Sequence, residues 1–406
     1  MRPDSNLPRR GFIAGSLLGG LGALAIDPLV MAQALLSGKK PEDIQGHGIE
    51  PGYVNLSSNE NPLGPSPRAV EAVAGRILAV NRYHWSFMPD PVETLINALE
   101  RKHGLPVTET TWDNWEQVTE NRRVVLSAGS SMILHAVGLA TVRDKAELVQ
   151  AQPAYFDTAD VWKRFGEEEG VDVKVNYVRL TRDLRHNLNA MYEKINDKTT
   201  IVVVTNPNNP TSTVVDHDAL ADFVRSVPSH VTVFIDEAYI DYTSDPGYRD
   251  AVYLAHEQDN VIVSRTFSKI HGLAGLRVGY AVLSPRLRRK LSLYNLGGPP
   301  SNLGAYAAIA ALDDHGHYER SRRTVEEGKT YLGKAFDRLD IAYTPSDACF
   351  ILFRLGDKAE SVFSALQERK VWIGDAMWWG LKGYLRVTVG TQAENEAFVN
   401  TLEAVL

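Results

Sequence analysis

The chain has a single cysteine, Cys349, among its 406 residues. One cysteine cannot form an internal disulfide, so packing must stabilise the fold, and a catalytic thiol would need partner residues that the sequence does not show. Positive charge is also scarce, because 43 lysines and arginines stand against 50 aspartates and glutamates and leave a net charge of −7. This balance argues against nucleic acid or an anionic membrane surface as a partner and favours a small-molecule substrate.

Long apolar runs are also scarce, since a transmembrane helix takes roughly 18 to 20 apolar residues and the run from Ile13 to Ile26 is shorter and interrupted by glycine. Arg9 and Arg10 precede this run and Ala32-Gln33-Ala34 follows it, an order that is similar to the twin-arginine signals of bacteria. We predict a signal peptide over residues 1–34, with a membrane anchor as the alternative. The protein would then be periplasmic or secreted, or cytoplasmic if the signal is not used.

The rest of the chain has ordinary globular composition, with 44% hydrophobic and 23% charged residues overall, and is long enough for two domains. Between about residues 120 and 285, short apolar and β-branched runs alternate with helical patterns, which predicts an α/β fold with a mostly parallel sheet flanked by helices. Ligands are expected at the carboxyl ends of such strands. The predicted strands are Val124–Ser127, Glu147–Ala151, Val171–Val178, Ile201–Thr205, Val231–Asp236, Val261–Thr266 and Gly279–Leu283.

The pattern changes after Gly297-Gly298, where long helical segments are predicted at Ser301–Leu312 and Tyr318–Leu339. Strands are predicted after them at Ala348–Arg354 and Leu385–Val389. We therefore predict an N-terminal arm over residues 35–80, a large domain over 81–298 and a smaller α+β domain over 299–406.

A lysine lies just after a predicted strand, in Thr266-Phe267-Ser268-Lys269, and a glycine-rich stretch that includes Arg277 follows it. A lysine amine attacks an aldehyde only when it is neutral. Hydroxyls and a guanidinium beside it are suitable hydrogen-bond donors to a phosphate dianion. A lone lysine at this place would usually be a solvated strand end, so the whole string is what indicates a site for an aldehyde cofactor with a phosphate group.

Two other predicted strands end in polar side chains. Asp236 and Tyr239 follow one of them, and Asn209 stands between prolines after another. An aspartate against a pyridine nitrogen keeps the nitrogen protonated, so that the ring can act as an electron sink for negative charge at a substrate's Cα. An asparagine in such a turn can donate to the ring's 3′-oxygen. Helix capping by Asp236 and an ordinary turn at Asn209 are the alternatives.

The order and spacing of these motifs resemble the aminotransferases of class I/II that use pyridoxal 5′-phosphate (PLP), which have the PLP-dependent transferase fold of type I. The likeness is strongest to the histidinol-phosphate aminotransferase-like branch, covers roughly residues 50–406 and also rests on Leu56–Pro67 and Leu385–Thr391. It implies that Lys269 holds PLP as a Schiff base and moves a proton between the substrate's Cα and the cofactor. Asp236 and Tyr239 would be the other catalytic residues.

The resemblance implies further roles. Arg386 would bind the substrate's α-carboxylate together with Asn209, and Tyr155 would stack on the pyridine ring. Tyr83 would reach the cofactor phosphate of a partner subunit, which implies a homodimer. No metal is expected. The residues implied to bind the cofactor are Ser130, Ser131, Tyr155, Asn209, Asp236, Tyr239, Thr266, Ser268, Lys269, Arg277 and Tyr83.

Several residues depart from the pattern of that branch. Ile373-Gly374-Asp375 stands where Val-Arg-Asp is typical, so that an arginine that helps to hold a phosphorylated substrate is missing. Cys349, Ser212 and Ser131-Met132 replace a common asparagine, a glycine and an acidic pair. These changes indicate altered specificity.

Two aromatic pairs, His84-Trp85 and Trp378-Trp379, are predicted near the mouth of the site. They either contact an aromatic, long apolar or guanidinium side chain of the substrate or pack between domains. The predicted function is transfer of an amino group between an L-amino acid or related amine and a 2-oxo acid. A PLP-dependent oxidase, lyase or racemase would use the same Cα carbanion and is the alternative. A secreted binding protein without catalysis would be expected to have lost Lys269 or Asp236.

Overall fold

The computed structural model of the chain describes residues 52–111, 113–245, 247–294 and 298–406. The predicted signal peptide and the first part of the predicted arm lie outside the described residues, as does the start of the predicted break at Gly297-Gly298. Within the described ranges, no helix is long and apolar enough to cross a membrane.

The strands and helices of the described residues are numbered here in chain order. The strands are β1 (Val54–Leu56), β2 (Val124–Ser127), β3 (Ala146–Gln152), β4 (Val173–Arg179), β5 (Thr199–Thr205), β6 (Thr232–Asp236), β7 (Val261–Thr266), β8 (Gly279–Leu283), β9 (Ala342–Tyr343), β10 (Phe350–Arg354), β11 (Val371–Asp375) and β12 (Tyr384–Thr388). The helices are α1 (Pro67–Ala74), α2 (Pro91–Lys102), α3 (Trp115–Asn121), α4 (Ser130–Thr141), α5 (Asp157–Glu168), α6 (Leu188–Tyr192), α7 (His217–Ser226), α8 (Val252–Glu257), α9 (Pro285–Ser292), α10 (Asn302–Leu312), α11 (His315–Arg338), α12 (Ala359–Glu368) and α13 (Gln392–Val405).

The larger sheet has seven strands in the order β2-β8-β7-β6-β5-β3-β4. Strand β8 is antiparallel to both of its neighbours, and the pairs β7-β6, β6-β5, β5-β3 and β3-β4 are parallel. Strands β5, β6 and β7 are buried along their whole length, because helices cover both faces of the sheet. The predicted α/β fold with a mostly parallel sheet is confirmed.

The smaller sheet has five strands in the order β1-β11-β12-β10-β9 and mixes parallel and antiparallel pairs. Its core is rich in phenylalanine, with Phe336 stacked on Phe353 at 4.9 Å between ring centroids and Phe398 against both. Helices α11, α12 and α13 supply the apolar side chains that cover this sheet. The smaller α+β unit predicted for the C-terminal part of the chain is thus present.

Two segments link the sheets. Strand β1 lies before the large sheet in sequence, yet it pairs with β11 of the small sheet, with Val54 opposite Val371. Helix α10 lies after residue 299, yet its alanines pack into the core of the large sheet with helices α1 and α2. The exact bounds of the two domains stay a prediction. The consequence for the site is that residues 57–61, which follow β1, run between the sheets.

Candidate active site

The carboxyl ends of β5, β6 and β7 lie at one edge of the large sheet, as parallel pairing requires. A cavity of about 410 Å³ opens there, between this edge, the segment after β1 and the small sheet. Every predicted site residue except Tyr83 lines this cavity. The lining consists of Ser57, Ser58, Asn59, Glu60, Ser130, Ser131, Leu134, Tyr155, Thr205, Asn209, Asp236, Ala238, Tyr239, Thr266, Ser268, Lys269, Ala274, Arg277, Trp379 and Arg386.

Lys269 stands three residues beyond the end of β7 and points across the cavity. Its Nζ donates a hydrogen bond to the backbone carbonyl of Ser58 at 3.0 Å. The same nitrogen lies 5.4 Å from the centre of the Tyr239 ring. The amine is therefore held between the segment after β1 and the end of β6, where a bound molecule would meet it.

Asp236 is the last residue of β6 and is buried. Its Oδ1 accepts a hydrogen bond from the Ser264 hydroxyl at 2.8 Å. Burial raises the pKa of this carboxyl to about 6, although the Ser264 hydrogen bond and the charge of Lys269 oppose the rise. A cation placed against Asp236 would lower the pKa and make the buried charge favourable, so this position suits a protonated ring nitrogen.

The first turn of α4 lies close to β8, because glycines at two positions leave room. A Cβ on Gly279 would lie 2.2 Å from the backbone nitrogen of Ser130. A Cβ on Gly129, where φ is +84°, would lie 2.3 Å from the Arg277 guanidinium. The amide groups at the start of α4 and the Arg277 side chain consequently approach one another, which makes a cradle for an anion.

Two hydroxyls complete this cradle. Thr266 Oγ1 donates to Ser268 Oγ at 3.0 Å and accepts from the Ser268 backbone N–H at 3.1 Å. Arg277 has a left-handed backbone, with φ of 51°, and its Nη1 donates to the Ala274 carbonyl at 3.0 Å. Since β2 and β7 both pair with β8 at Gly279, these groups come to the same side as the start of α4.

Arg386, in β12, faces the opposite end of the cavity. Its Nη1 donates to Asn209 Oδ1 at 2.6 Å, and its Nη2 donates to the Ser57 carbonyl at 2.6 Å. Burial lowers the pKa of the guanidinium, and its Nε is buried without a partner in the described part of the chain. A carboxylate would satisfy and neutralise such a group.

Gly374 lies opposite Arg386 in the β11–β12 pair. A Cβ at this position would lie 2.9 Å from Arg386 Nε and 3.0 Å from Nη2. The arginine that the resemblance leads us to expect here would therefore stand directly beside the Arg386 guanidinium. In this chain Arg386 has no second arginine from β11 next to it.

Aromatic rings form another side of the cavity. The Tyr155 hydroxyl donates to Asp157 Oδ2 at 2.7 Å, and burial raises the pKa of the phenol. Its ring lies 6.0 Å from the Trp379 ring, tilted by 36°. Tyr83 does not line the cavity, is 70% exposed and stacks on Trp85 at 4.5 Å. Its predicted contact with a partner subunit stays a prediction.

Asn59 links three parts of the site, although no sequence pattern assigns it a role. It adopts a left-handed backbone with φ of 56°. Its Nδ2 donates to the Tyr239 hydroxyl at 2.9 Å, and its backbone N–H donates to Thr388 Oγ1 at 2.9 Å. The only sequence signal was its place within the Leu56–Pro67 motif.

These groups fit PLP. The cradle at the start of α4 suits the phosphate, the buried Asp236 suits the pyridine nitrogen, and the amine of Lys269 suits the aldehyde. The fold and the cavity together define a PLP-dependent enzyme of fold type I. The chain belongs to the aminotransferase class I and II family, whose model matches residues 51–402. It is a PLP-dependent aminotransferase.

Relatives cover most of the chain. A histidinol-phosphate aminotransferase of Moorella thermoacetica is 34% identical over 382 residues, which are 94% of this chain and 92% of that protein. A histidinol-phosphate aminotransferase of Pseudomonas aeruginosa is 35% identical over 88% of this chain and 91% of that protein. The histidinol-phosphate aminotransferase of Sinorhizobium meliloti, solved in complex with PLP, has the same fold, with a TM-score of 0.74 at 21% identity, and covers 98% of this chain and 100% of its own.

Proposed function

We propose that Lys269 is the lysine that binds PLP and that the amino donor is an L-amino acid whose α-carboxylate binds Arg386. The observation that supports this assignment is the cavity itself, because Lys269, Asp236, Asn209 and Arg386 all line it. When bound, PLP supplies an electron sink for the negative charge that develops at the substrate's Cα. The amino group would pass to a 2-oxo acid as the acceptor.

The protein's own residues would do the rest. Asp236 holds a proton on the ring nitrogen, and Ser130, Ser131 and the hydroxyls beside Lys269 orient the phosphate together with Arg277. The Lys269 amine lies between Ser58 and Tyr239, where it can remove the proton from the substrate's Cα and deliver it to the cofactor. Tyr155 covers the ring.

The anion at Arg386 is proposed to be a carboxylate rather than a phosphate. The relatives are named for histidinol phosphate, whose phosphate dianion has twice the charge of a carboxylate. With Gly374 in place of an arginine, one guanidinium faces the anion from this side, and it is already hydrogen-bonded to Asn209 and Ser57. One guanidinium matches one carboxylate in charge and in geometry.

The test is Lys269→Ala against Lys382→Ala, an exposed lysine outside the cavity. We expect Lys269→Ala to lose the visible absorbance of the lysine-bound cofactor and about 10³-fold in the transamination rate. Lys382→Ala should resemble the natural protein in both measurements. Normal transamination by Lys269→Ala would contradict the assignment, and oxygen consumption or turnover without a 2-oxo acid would favour an oxidase or lyase.

We also propose a homodimer in which Tyr83 reaches the partner's cofactor site. The support is a run of exposed apolar side chains around Tyr83, which is unusual on the surface of a monomer. We call it the apolar segment, and it consists of Ile77, Leu78, Val80, Tyr83, Trp85 and Met88.

Export through the twin-arginine route is proposed for the segment 1–34, on the strength of Arg9-Arg10 and the apolar run after them. An enzyme that must take up PLP in the cytoplasm would benefit from a route that moves folded proteins. Replacing both arginines by lysine should keep the activity in the cytoplasmic fraction. Equal periplasmic activity of the two forms would count against this route.

A further inference from the structure

Trp379, Phe156 and Trp378 form an aromatic wall at the mouth of the cavity. The Phe156 ring lies 5.2 Å from the Trp379 ring and 5.1 Å from the Trp378 ring. The two tryptophans meet edge to face, at 6.3 Å and 87°. Of the three, Trp379 lines the cavity, while Trp378 is 72% exposed. The indole of Trp379 thus packs against the other two rings.

The turn that presents Trp379 is fixed at both ends. The Met377 backbone N–H donates to Asp375 Oδ1 at 2.7 Å. Gly380 ends the short helical turn in a left-handed conformation, with φ of 82°. Phe156 directly precedes α5, a helix that covers the large sheet. The aromatic wall therefore also connects this turn to the edge of the sheet where Tyr155 lies. A rigid aromatic surface of this kind can select a ligand, because it loses little conformational freedom on contact.

The proposed binding points of the substrate indicate which part of it would contact this wall. If the α-carboxylate binds Arg386 and the Cα faces Lys269, the side chain must extend into the remaining part of the cavity. Among the lining residues that the structure describes, Trp379 is the largest apolar side chain without a proposed part in cofactor binding. Strand β11 leads directly from Gly374, beside Arg386, into the turn that presents Trp379.

The charges of the cavity restrict that side chain further. The basic residues in the described lining are Lys269, Arg277 and Arg386. Each already has a proposed partner, namely the aldehyde, the cofactor phosphate and the α-carboxylate. Within the described lining, no basic residue is left for an anionic side chain, while an indole face attracts flat rings and planar cations.

We propose that Trp379 determines specificity and selects an amino donor with a planar side chain that is not anionic, either an aromatic ring or a guanidinium. This inference rests on the proposed function, since it takes the α-carboxylate to bind Arg386. Both kinds of group share the ability to stack on an indole, and the choice of donors in the test separates them.

The experiment compares Trp379→Leu with Trp372→Leu, which changes a tryptophan of β11 that lies outside the cavity and is 46% exposed. The donors are L-phenylalanine, L-arginine and L-alanine, each with a 2-oxo acid. We expect Trp379→Leu to lower kcat/KM about tenfold for phenylalanine, arginine or both, and to change it less than about twofold for alanine. Trp372→Leu should leave all three values unchanged.

A binding measurement gives a second readout. 3-Phenylpropanoate and 3-guanidinopropanoate have the carboxylate and a planar group but no α-amine, and butanoate has the carboxylate alone. Measured by calorimetry, the affinity for at least one of the two planar acids should be about tenfold lower in Trp379→Leu than in the natural protein. The affinity for butanoate should be the same in both proteins. An equal loss for alanine and the planar donors, or natural protein that prefers alanine to both planar donors, would overturn the inference. If the natural protein turned over none of the three donors, that result would instead contradict the proposed function.

Discussion

The surroundings of Asp236 disfavour the ionised form of its carboxyl group. It is buried at the end of β6, with a hydroxyl from Ser264 as its hydrogen-bond partner, and its pKa lies about 6 instead of 3.8. Neutral surroundings would favour the protonated acid, whereas a pyridinium would favour the carboxylate. The residue is therefore arranged for a cationic partner, and the protonated ring nitrogen of PLP is the proposed one.

This arrangement predicts a dependence of stability on pH for the protein freed of PLP. The pKa of Asp236 is higher in the folded than in the unfolded state, so between about pH 4 and 6 the folded state binds more protons. The free energy of unfolding should then decrease as pH rises through this window, by about 3 kcal/mol from this group. Urea unfolding from pH 4 to 7 should show this decrease in the natural protein relative to Asp236→Asn.

Adding PLP should reduce the difference between the two proteins' pH profiles, because the ring nitrogen stabilises the carboxylate. Parallel profiles for Asp236→Asn and the natural protein without PLP would contradict the prediction. Other buried acids, such as Glu237, also titrate, and the comparison of the two proteins removes their contribution.

At the residue scale, the sequence predicts those site residues whose side chains have a characteristic chemical role. Lys269, Asp236 and Arg386 follow or lie within recognisable strands, and a lysine, a carboxylate and a guanidinium each imply a partner of definite charge. Asn59 gives no such signal, because its partners Tyr239 and Thr388 are 180 and 329 residues away in sequence. The sequence shows Gly374 where an arginine is expected. Its position beside Arg386, however, depends on the pairing of β11 with β12.

At the scale of elements, the packing of β8 against the start of α4 fixes the proposed phosphate site. Gly279 pairs with Ser127 on one side and with Thr266 on the other. It therefore stands between the two segments that supply the site's donors.

Replacing Gly279 by alanine should disturb this site. The new Cβ would meet the backbone of Gly129 and Ser130, neither of which can move as a flexible side chain would. We expect a loss of about 1–3 kcal/mol in the free energy of unfolding and weaker PLP binding, measured by denaturant unfolding and by spectroscopic titration. Gly275→Ala is the matched control, since its Cβ would meet nothing within 4 Å. Natural PLP affinity in Gly279→Ala would show that α4 does not need this close approach.

Element bounds were predicted best for three buried strands of the large sheet. Strands β2, β7 and β8 begin and end at the predicted residues, because each is buried and bounded by polar or turn residues. Strand β4 begins two residues later than predicted, at the exposed edge of the sheet. Strand β1 was not predicted, since it has three residues and its partner lies more than 300 residues further along the chain.

At the scale of the whole molecule, the apolar segment around Tyr83 predicts association. Leu78 and Met88 are 89% and 92% exposed, which is unfavourable for apolar side chains in water. Leu78→Glu should shift a homodimer toward monomer in sedimentation experiments at low protein concentration. Tyr192→Glu, at a position 45% exposed outside this segment, should leave the mass unchanged. A monomeric natural protein would refute the proposed dimer.

The pairing of β1 with β11 also has a consequence for the order in which the protein is made. Residues 54–56 leave the ribosome more than 300 residues before their partners at 371–373 are synthesised. The bond between Arg386 and the Ser57 carbonyl joins residues 329 positions apart, so a nascent chain cannot close the proposed substrate end of the cavity until β12 has been synthesised. The large sheet can form earlier, whereas the ability to hold a substrate would be acquired only after β11 and β12 have been made, and a chain that ends before β12 would lack it.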